Sequence, residues 1–154
     1  MKKLLCIICM IGAMMTVSGC KISSYKRMNQ LNYSVILSQK HAEYYVFVYS
    51  TTCTVCESIE DQITTYAEYA KSNQDALPIF IINLNSGANK GIVKNSDEIK
   101  NFLNTKDYKD IHFSTAPGLI RVKGGAVAQV IAKETTDKPK TEILELIDKA
   151  MGKK

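Results

Sequence analysis

The chain contains no tryptophan and little proline or glycine: 3 Pro and 8 Gly among 154 residues. So little glycine and proline excludes a collagen-like chain, and a composition of 45% hydrophobic and 23% charged residues excludes a wholly disordered one. Positive residues outnumber negative ones only slightly, because 20 Lys and Arg residues and 15 Asp and Glu residues give a formal net charge of +5. A positive charge this small and scattered does not predict the basic patch that binds the phosphates of nucleic acid, so we expect no nucleic-acid partner.

An apolar stretch of 14 residues runs from Leu4 to Val17, behind two lysines and ahead of Ser-Gly-Cys. This order of regions predicts a secretory signal, and the stretch is shorter than the ~20 residues that span a bilayer. Its end, from Val17 to Cys20, resembles the lipobox of bacterial lipoproteins. That resemblance implies acylation of Cys20 and cleavage in front of it. The alternative is a plain signal peptide cut nearby, with Cys20 left as a free exported thiol.

These features divide the chain into a signal peptide (1–19), a tether (20–25) and one folded domain (26–154). Removing 19 of the 154 residues leaves 135, which can bury a core without disulfide staples. Of the 5 cysteines, only Cys53 and Cys56 fall inside the domain, which excludes a small disulfide framework. We expect a lipid-anchored protein at the extracytoplasmic face of a bacterial cell membrane.

Hydrophobic periodicity in the domain alternates between the helical and the extended pattern. Two strands joined through a helix should be parallel, while the last two strands form a hairpin at Gly124 and Gly125. The expected fold is therefore an α/β sandwich, with a mixed sheet of four to five strands flanked by helices. The predicted elements are a helix (26–40), a strand (44–49), a helix (53–70), a strand (79–84), a helix from Ser96, two strands (119–122 and 126–131) and a helix from Pro139.

The sequence Cys53-Thr54-Val55-Cys56 directly follows the first predicted strand and begins a helix. Free N–H groups and the dipole at a helix start favour a thiolate, so Cys53 is predicted to be the nucleophile. Cys56 lies one turn further on and faces the core, which suits the role of resolving thiol. The acidic residues of this helix, Glu57 and Glu60 among them, are expected on its solvent side.

Three segments in order, 45–56, 79–85 and 116–125, make the chain resemble the thioredoxin-fold thiol–disulfide oxidoreductases. The resemblance implies that Pro117 follows a cis peptide bond and packs against the C-x-x-C. It also implies that the backbone of Ala116 pairs with a bound client chain. The remaining predicted client-binding residues are those around the cysteines, namely Thr52, Thr54 and Val55.

The function expected from this resemblance is disulfide exchange with exported client proteins. This function needs no cofactor or metal. It does need a membrane redox partner that exchanges electrons with the protein. We expect the protein to be a monomer. Three other interpretations stay open: half of a zinc site, an inert structural disulfide, and a non-catalytic accessory module that aids peptide export. A zinc site would have to recruit His41 or His112, and His112 is expected to be a solvated loop residue.

Overall fold

A computed structural model describes residues 24–153, and its centre is a four-stranded mixed sheet. The strand order is β2-β1-β3-β4. Strands β1 and β2 are parallel, as predicted, and β3 pairs antiparallel with both β1 and β4. The predicted signal peptide (1–19) and Cys20 lie outside the described residues. The strands are β1 (Glu43–Tyr49), β2 (Ile79–Asn83), β3 (Gly118–Lys123) and β4 (Ala126–Ile131).

Three helices pack against one face of the sheet: α1 (Thr54–Ser58), α2 (Glu60–Ser72) and α3 (Pro139–Ala150). Alternate residues of β1, such as Phe47, face these helices, while their neighbours, such as Val46, belong to a second core on the opposite face. Strand β1 is thus buried on both sides, as its apolar sequence predicts. No helix within residues 24–153 is long and apolar enough to cross a bilayer.

The opposite face of the sheet is covered by irregular chain, and the helix predicted from Ser96 is wrong. The segment from 96 to 107 forms only one 3₁₀ turn (Ser96–Glu98) in place of that helix. The Asn101 side-chain oxygen accepts a hydrogen bond from the Leu103 N–H at 2.9 Å, and Asn104 has a φ of 66°. Such local side-chain bonds and left-handed asparagines compete with helix formation.

The helix predicted over 26–40 is also wrong. The chain forms two 3₁₀ turns (Ser24–Arg27 and Tyr33–Val35), and between them it lies along the outer edge of β2. There the Leu31 N–H donates to the Ile81 carbonyl at 2.8 Å, and the Ile81 N–H donates to the Asn29 carbonyl at 3.0 Å. Pairing with an exposed sheet edge satisfies these backbone groups in place of a helix.

The hairpin predicted between the last two strands is confirmed. Its turn residues, Gly124 and Gly125, have φ values of 57° and 73°. Both glycines thus have left-handed backbone angles, which favour glycine. Two such residues form the tight hairpin turn whose twist matches that of the paired strands.

Candidate active site

Cys53 and Cys56 form a disulfide at the junction between β1 and α1, with their α-carbons 5.2 Å apart. The two sulfurs differ in access: Cys56 is 1% exposed, whereas Cys53 is partly exposed. An incoming thiol therefore reaches the sulfur of Cys53 more readily than that of Cys56, and the nucleophilic and resolving roles of the two cysteines stay predictions.

Cys53 caps α1 with its own sulfur. Its backbone is extended (φ −91°, ψ 103°), and its Sγ accepts a hydrogen bond from the Cys56 N–H at 3.0 Å. Because α1 has only five residues, a long helix dipole does not act here. The amide of Cys56 is instead the specific donor that can stabilise a negative charge on Cys53 after reduction.

The loop that leads into Cys53 is held by Asn85, which follows β2. The Asn85 side-chain oxygen accepts hydrogen bonds from the Ser50 hydroxyl (2.9 Å), the Thr51 N–H (2.7 Å) and the Thr51 hydroxyl (3.0 Å). Nothing in the sequence pattern singled out Asn85, because its partners lie 34 and 35 positions away.

The single helix predicted from Cys53 to about Ala70 is broken at Ile59, whose backbone leaves the helical range (φ −118°, ψ 8°). No proline lies in this stretch, so the break has another cause. The hydroxyl of Tyr25 donates to the Cys56 carbonyl at 2.8 Å, one turn before the break. An outside hydroxyl that enters a helical hydrogen-bond ladder is a recognised cause of such kinks.

Tyr25 was expected at the end of the tether, and the structure places it inside the core, at 2% exposure. Its ring packs beside Phe47 and Tyr49, with centroid distances of 5.5 and 4.7 Å. Burial, and to a smaller extent the Glu60 carboxyl group, raise the pKa of Tyr25 above its ordinary value. The hydroxyl therefore stays protonated and able to donate.

Glu60 is buried at 6% exposure, so its expected place on the solvent side is wrong. Its Oε1 accepts the Tyr25 N–H at 3.2 Å. Helical periodicity gave no signal for this contact, because Tyr25 lies 35 positions away in the chain. Glu60, Tyr25 and both cysteines line a groove of about 280 Å³ beside the disulfide. Its other walls are Tyr49, Ser50, Thr51, Thr52, Thr54 and Glu57.

The peptide bond between Ala116 and Pro117 is cis, as the resemblance implied. Pro117 is buried and directly precedes β3, whose Gly118 pairs with Val48 near the end of β1. Ala116 is partly exposed and packs on the same hydrophobic cluster as Cys56. The fold thus brings the predicted client-binding backbone to the cluster to which Cys56 belongs.

The other predicted client-binding residues are exposed around Cys53. Thr52 and Thr54 are exposed, and Val55 is 38% exposed although it is apolar. A client chain can reach all three side chains, and their role in client binding stays a prediction.

The loop before the cis bond is anchored by a pair that the sequence did not reveal. Ser114 donates its N–H to Oε1 of Glu134 at 2.7 Å, and its hydroxyl donates to the same oxygen. Because Ser114 lies two residues before Ala116, this pair helps to fix the direction of the predicted client-binding segment.

His112 is buried at 8% exposure, so its prediction as a solvated residue is wrong. Loss of solvent and, to a smaller extent, the nearby Lys94 lower the pKa of His112 below its ordinary value of 6.5. Across residues 24–153, no group of three or more His, Cys, Asp and Glu side chains is placed to hold a metal ion. The zinc interpretation of the C-x-x-C therefore finds no ligand set in the described part of the chain.

No protein-family model matches the chain, and neither does any curated protein sequence. Solved structures do match. Mitochondrial thioredoxin 3 from Saccharomyces cerevisiae, in its oxidised form, is 13% identical with a TM-score of 0.52, covering 82% of this chain and 99% of that one. A structure concerned with thiol resolution in yeast mitochondrial 1-Cys peroxiredoxin by the glutathione and thioredoxin systems has a TM-score of 0.50, with the same identity and coverage.

Chlamydomonas reinhardtii thioredoxin f2 also matches, at 13% identity and a TM-score of 0.48, and it covers 82% of this chain and 99% of that one. Identities this low speak to the fold alone. A four-stranded mixed sheet with flanking helices matches the fold of the yeast thioredoxin. The chain therefore has the thioredoxin fold.

Proposed function

We propose that the protein is a thiol–disulfide oxidoreductase that exchanges disulfides with exported client proteins through Cys53 and Cys56. One observation carries the proposal: a disulfide with one accessible and one buried sulfur opens into a groove. An inert structural disulfide has no need of this asymmetry, and a loop closed over three residues adds little stability.

The chemistry follows from the difference in access. In the oxidising direction a client thiolate attacks Cys53 Sγ, the bond between the two cysteines breaks, and Cys56 leaves as a thiolate that takes up a proton. A second client thiolate then attacks the client sulfur of the mixed disulfide and releases Cys53. The client loses two electrons and the protein gains them. The reducing direction runs through the same mixed disulfide in reverse.

The proposed site of action is the extracytoplasmic face of a bacterial cell membrane, with a lipid on Cys20. The signal-like stretch from Leu4 to Val17 and the lipobox-like end at Cys20 support it. An oxidising compartment also suits a disulfide as the resting state of the pair. Clients there would be exported proteins with thiols or disulfides, and a membrane redox partner would renew the pair.

Insulin reduction driven by dithiothreitol tests the activity, with the domain 24–154 as enzyme and its Cys53→Ser/Cys56→Ser double variant as control. Wild type should accelerate the reaction and the double variant should not. Equal rates would show that the disulfide is not catalytic and would favour the accessory-module alternative. Equilibration of wild type with glutathione buffers then gives the reduction potential and with it the direction of electron flow.

A further inference from the structure

Three hydrogen bonds meet at the backbone of Cys56. Its carbonyl accepts the Tyr25 hydroxyl at 2.8 Å and the Ile59 N–H at 3.3 Å, and its N–H donates to Cys53 Sγ at 3.0 Å. The first bond comes from a residue 31 positions away, outside the active-site helix. Cys56 is therefore fixed from one side by the N-terminal turn, while it supplies a donor to the reactive sulfur on the other.

Tyr25 is itself held at several points. Its N–H is bonded to Glu60, and its ring packs against Phe47 and Tyr49. The helix that it contacts is weak on its own, because α1 has only five residues and ends at the break at Ile59. A five-residue helix has few internal bonds to resist fraying, so an outside bond at Cys56 has a large share in its geometry.

We propose that Tyr25 is a positioning residue for the redox pair: its hydroxyl fixes the Cys56 backbone so that the Cys56 amide stays directed at Cys53 Sγ. In the reduced protein this amide stabilises the Cys53 thiolate, the form that attacks a disulfide. The inference rests on the proposed function, and it gives a positioning role to the residue at which the predicted tether ends.

The charges around the pair make this amide important. The ionisable residues that line the groove besides the cysteines are Tyr25, Tyr49, Glu57 and Glu60. Two carboxyl groups oppose a thiolate, and no lysine or arginine is among the described lining residues. From α3, the ammonium group of Lys140 donates to the Ser58 hydroxyl at 2.9 Å, at the far end of α1. Directed N–H donors must therefore supply much of the thiolate stabilisation.

The test compares Tyr25→Phe with Tyr66→Phe in the reduced protein. Tyr66 is a matched control, because it is fully buried in the same hydrophobic cluster and its hydroxyl also donates to a backbone carbonyl, that of Leu77, at 2.8 Å. Iodoacetamide labelling of Cys53 is followed by mass spectrometry from pH 5 to 10. Tyr25→Phe should raise the midpoint of the labelling profile by about 0.5–1 pH unit, which is a ~3- to 10-fold loss of thiolate below the midpoint.

The melting temperature of Tyr66→Phe should fall by about as much as that of Tyr25→Phe, while its labelling profile should stay that of wild type. A Tyr25→Phe profile that coincides with wild type would overturn the inference. Should Tyr25→Phe not fold, NMR of reduced wild type decides: the Cys56 amide proton must shift with the titration of Cys53, and an unchanged shift would overturn the inference. Labelling needs no client, so failure of the insulin assay would remove the proposed function without touching this result.

Discussion

A methyl group on Gly118 would stand 2.7 Å from Cε1 of the Phe113 ring. Phe113 is fully buried and its ring packs edge-on against Phe102, with centroids 5.4 Å apart, so it has little room to retreat. Gly118 follows the cis bond directly and begins β3. Close approach of an aromatic ring, and not an unusual backbone angle, is what requires glycine here.

We expect Gly118→Ala to lower the free energy of unfolding by about 1–3 kcal/mol, because the added carbon overpacks a closed core. Urea denaturation monitored by circular dichroism measures the change. Gly87→Ala is the matched control, since a Cβ there would meet nothing within 4 Å. Equal stabilities for the two variants would contradict the packing argument.

Cys56→Ser should accumulate mixed disulfides with clients. Cys53 remains partly exposed and can attack, but the second thiol that releases the client is missing. Non-reducing gels of cells that express the variant should show high-molecular-weight adducts that dithiothreitol removes. Cys53→Ser should form few or none, because Cys56 is only 1% exposed. Equal adduct formation by both variants would contradict the assigned roles.

His112 should make stability depend on pH. Its pKa in the folded protein lies below the ordinary value of 6.5, so the unfolded chain binds the proton more readily. The stabilising contribution is therefore complete above pH 6.5 and is lost as the pH falls through the folded-state pKa. The urea midpoint should drop from pH 7.5 to pH 5.5 in wild type and in His41→Gln, where an exposed histidine is replaced. The drop should be smaller in His112→Gln.

The anchor is predicted to depend on one thiol. Cys20→Ser removes the acceptor for the lipid, so the protein should move from the membrane pellet to the soluble fraction. Immunoblots of fractionated cells, with metabolic labelling by a palmitate analogue, measure both location and acylation. A variant that still pellets after a high-salt wash would contradict the lipoprotein prediction.

The sequence alone predicted the local structure correctly where a segment is buried on both faces or forms a turn that its own residues determine. Strand β1 has an unbroken apolar sequence, and its burial from Tyr44 to Tyr49 follows from that alone. The two glycines of the last hairpin likewise predict a tight turn without any distant partner, because both adopt the positive φ that the turn needs. The C-x-x-C was recognisable for the same reason, because a buried strand and a helical pattern flank it directly.

Errors arose where distant partners decide the local structure. The segment around Leu31 has helical spacing, yet the free edge of β2 pairs with it instead. The break at Ile59 and the burial of Glu60 both involve Tyr25, whose position in the fold cannot be read from the sequence around it. Contacts across 31 and 35 residues leave no periodic trace in a single sequence.

The burial of Tyr25 beside the disulfide would also limit how far from the membrane the site can work once Cys20 carries the proposed lipid. Tyr25 lies five positions after Cys20, and an extended chain advances at most ~3.6 Å per position, which gives at most ~18 Å between them. The lipid proposed for Cys20 would therefore hold Tyr25 within about 18 Å of the bilayer surface. The protein's clients would be chains that present cysteines while still emerging from the membrane, and a lengthened tether should widen that range.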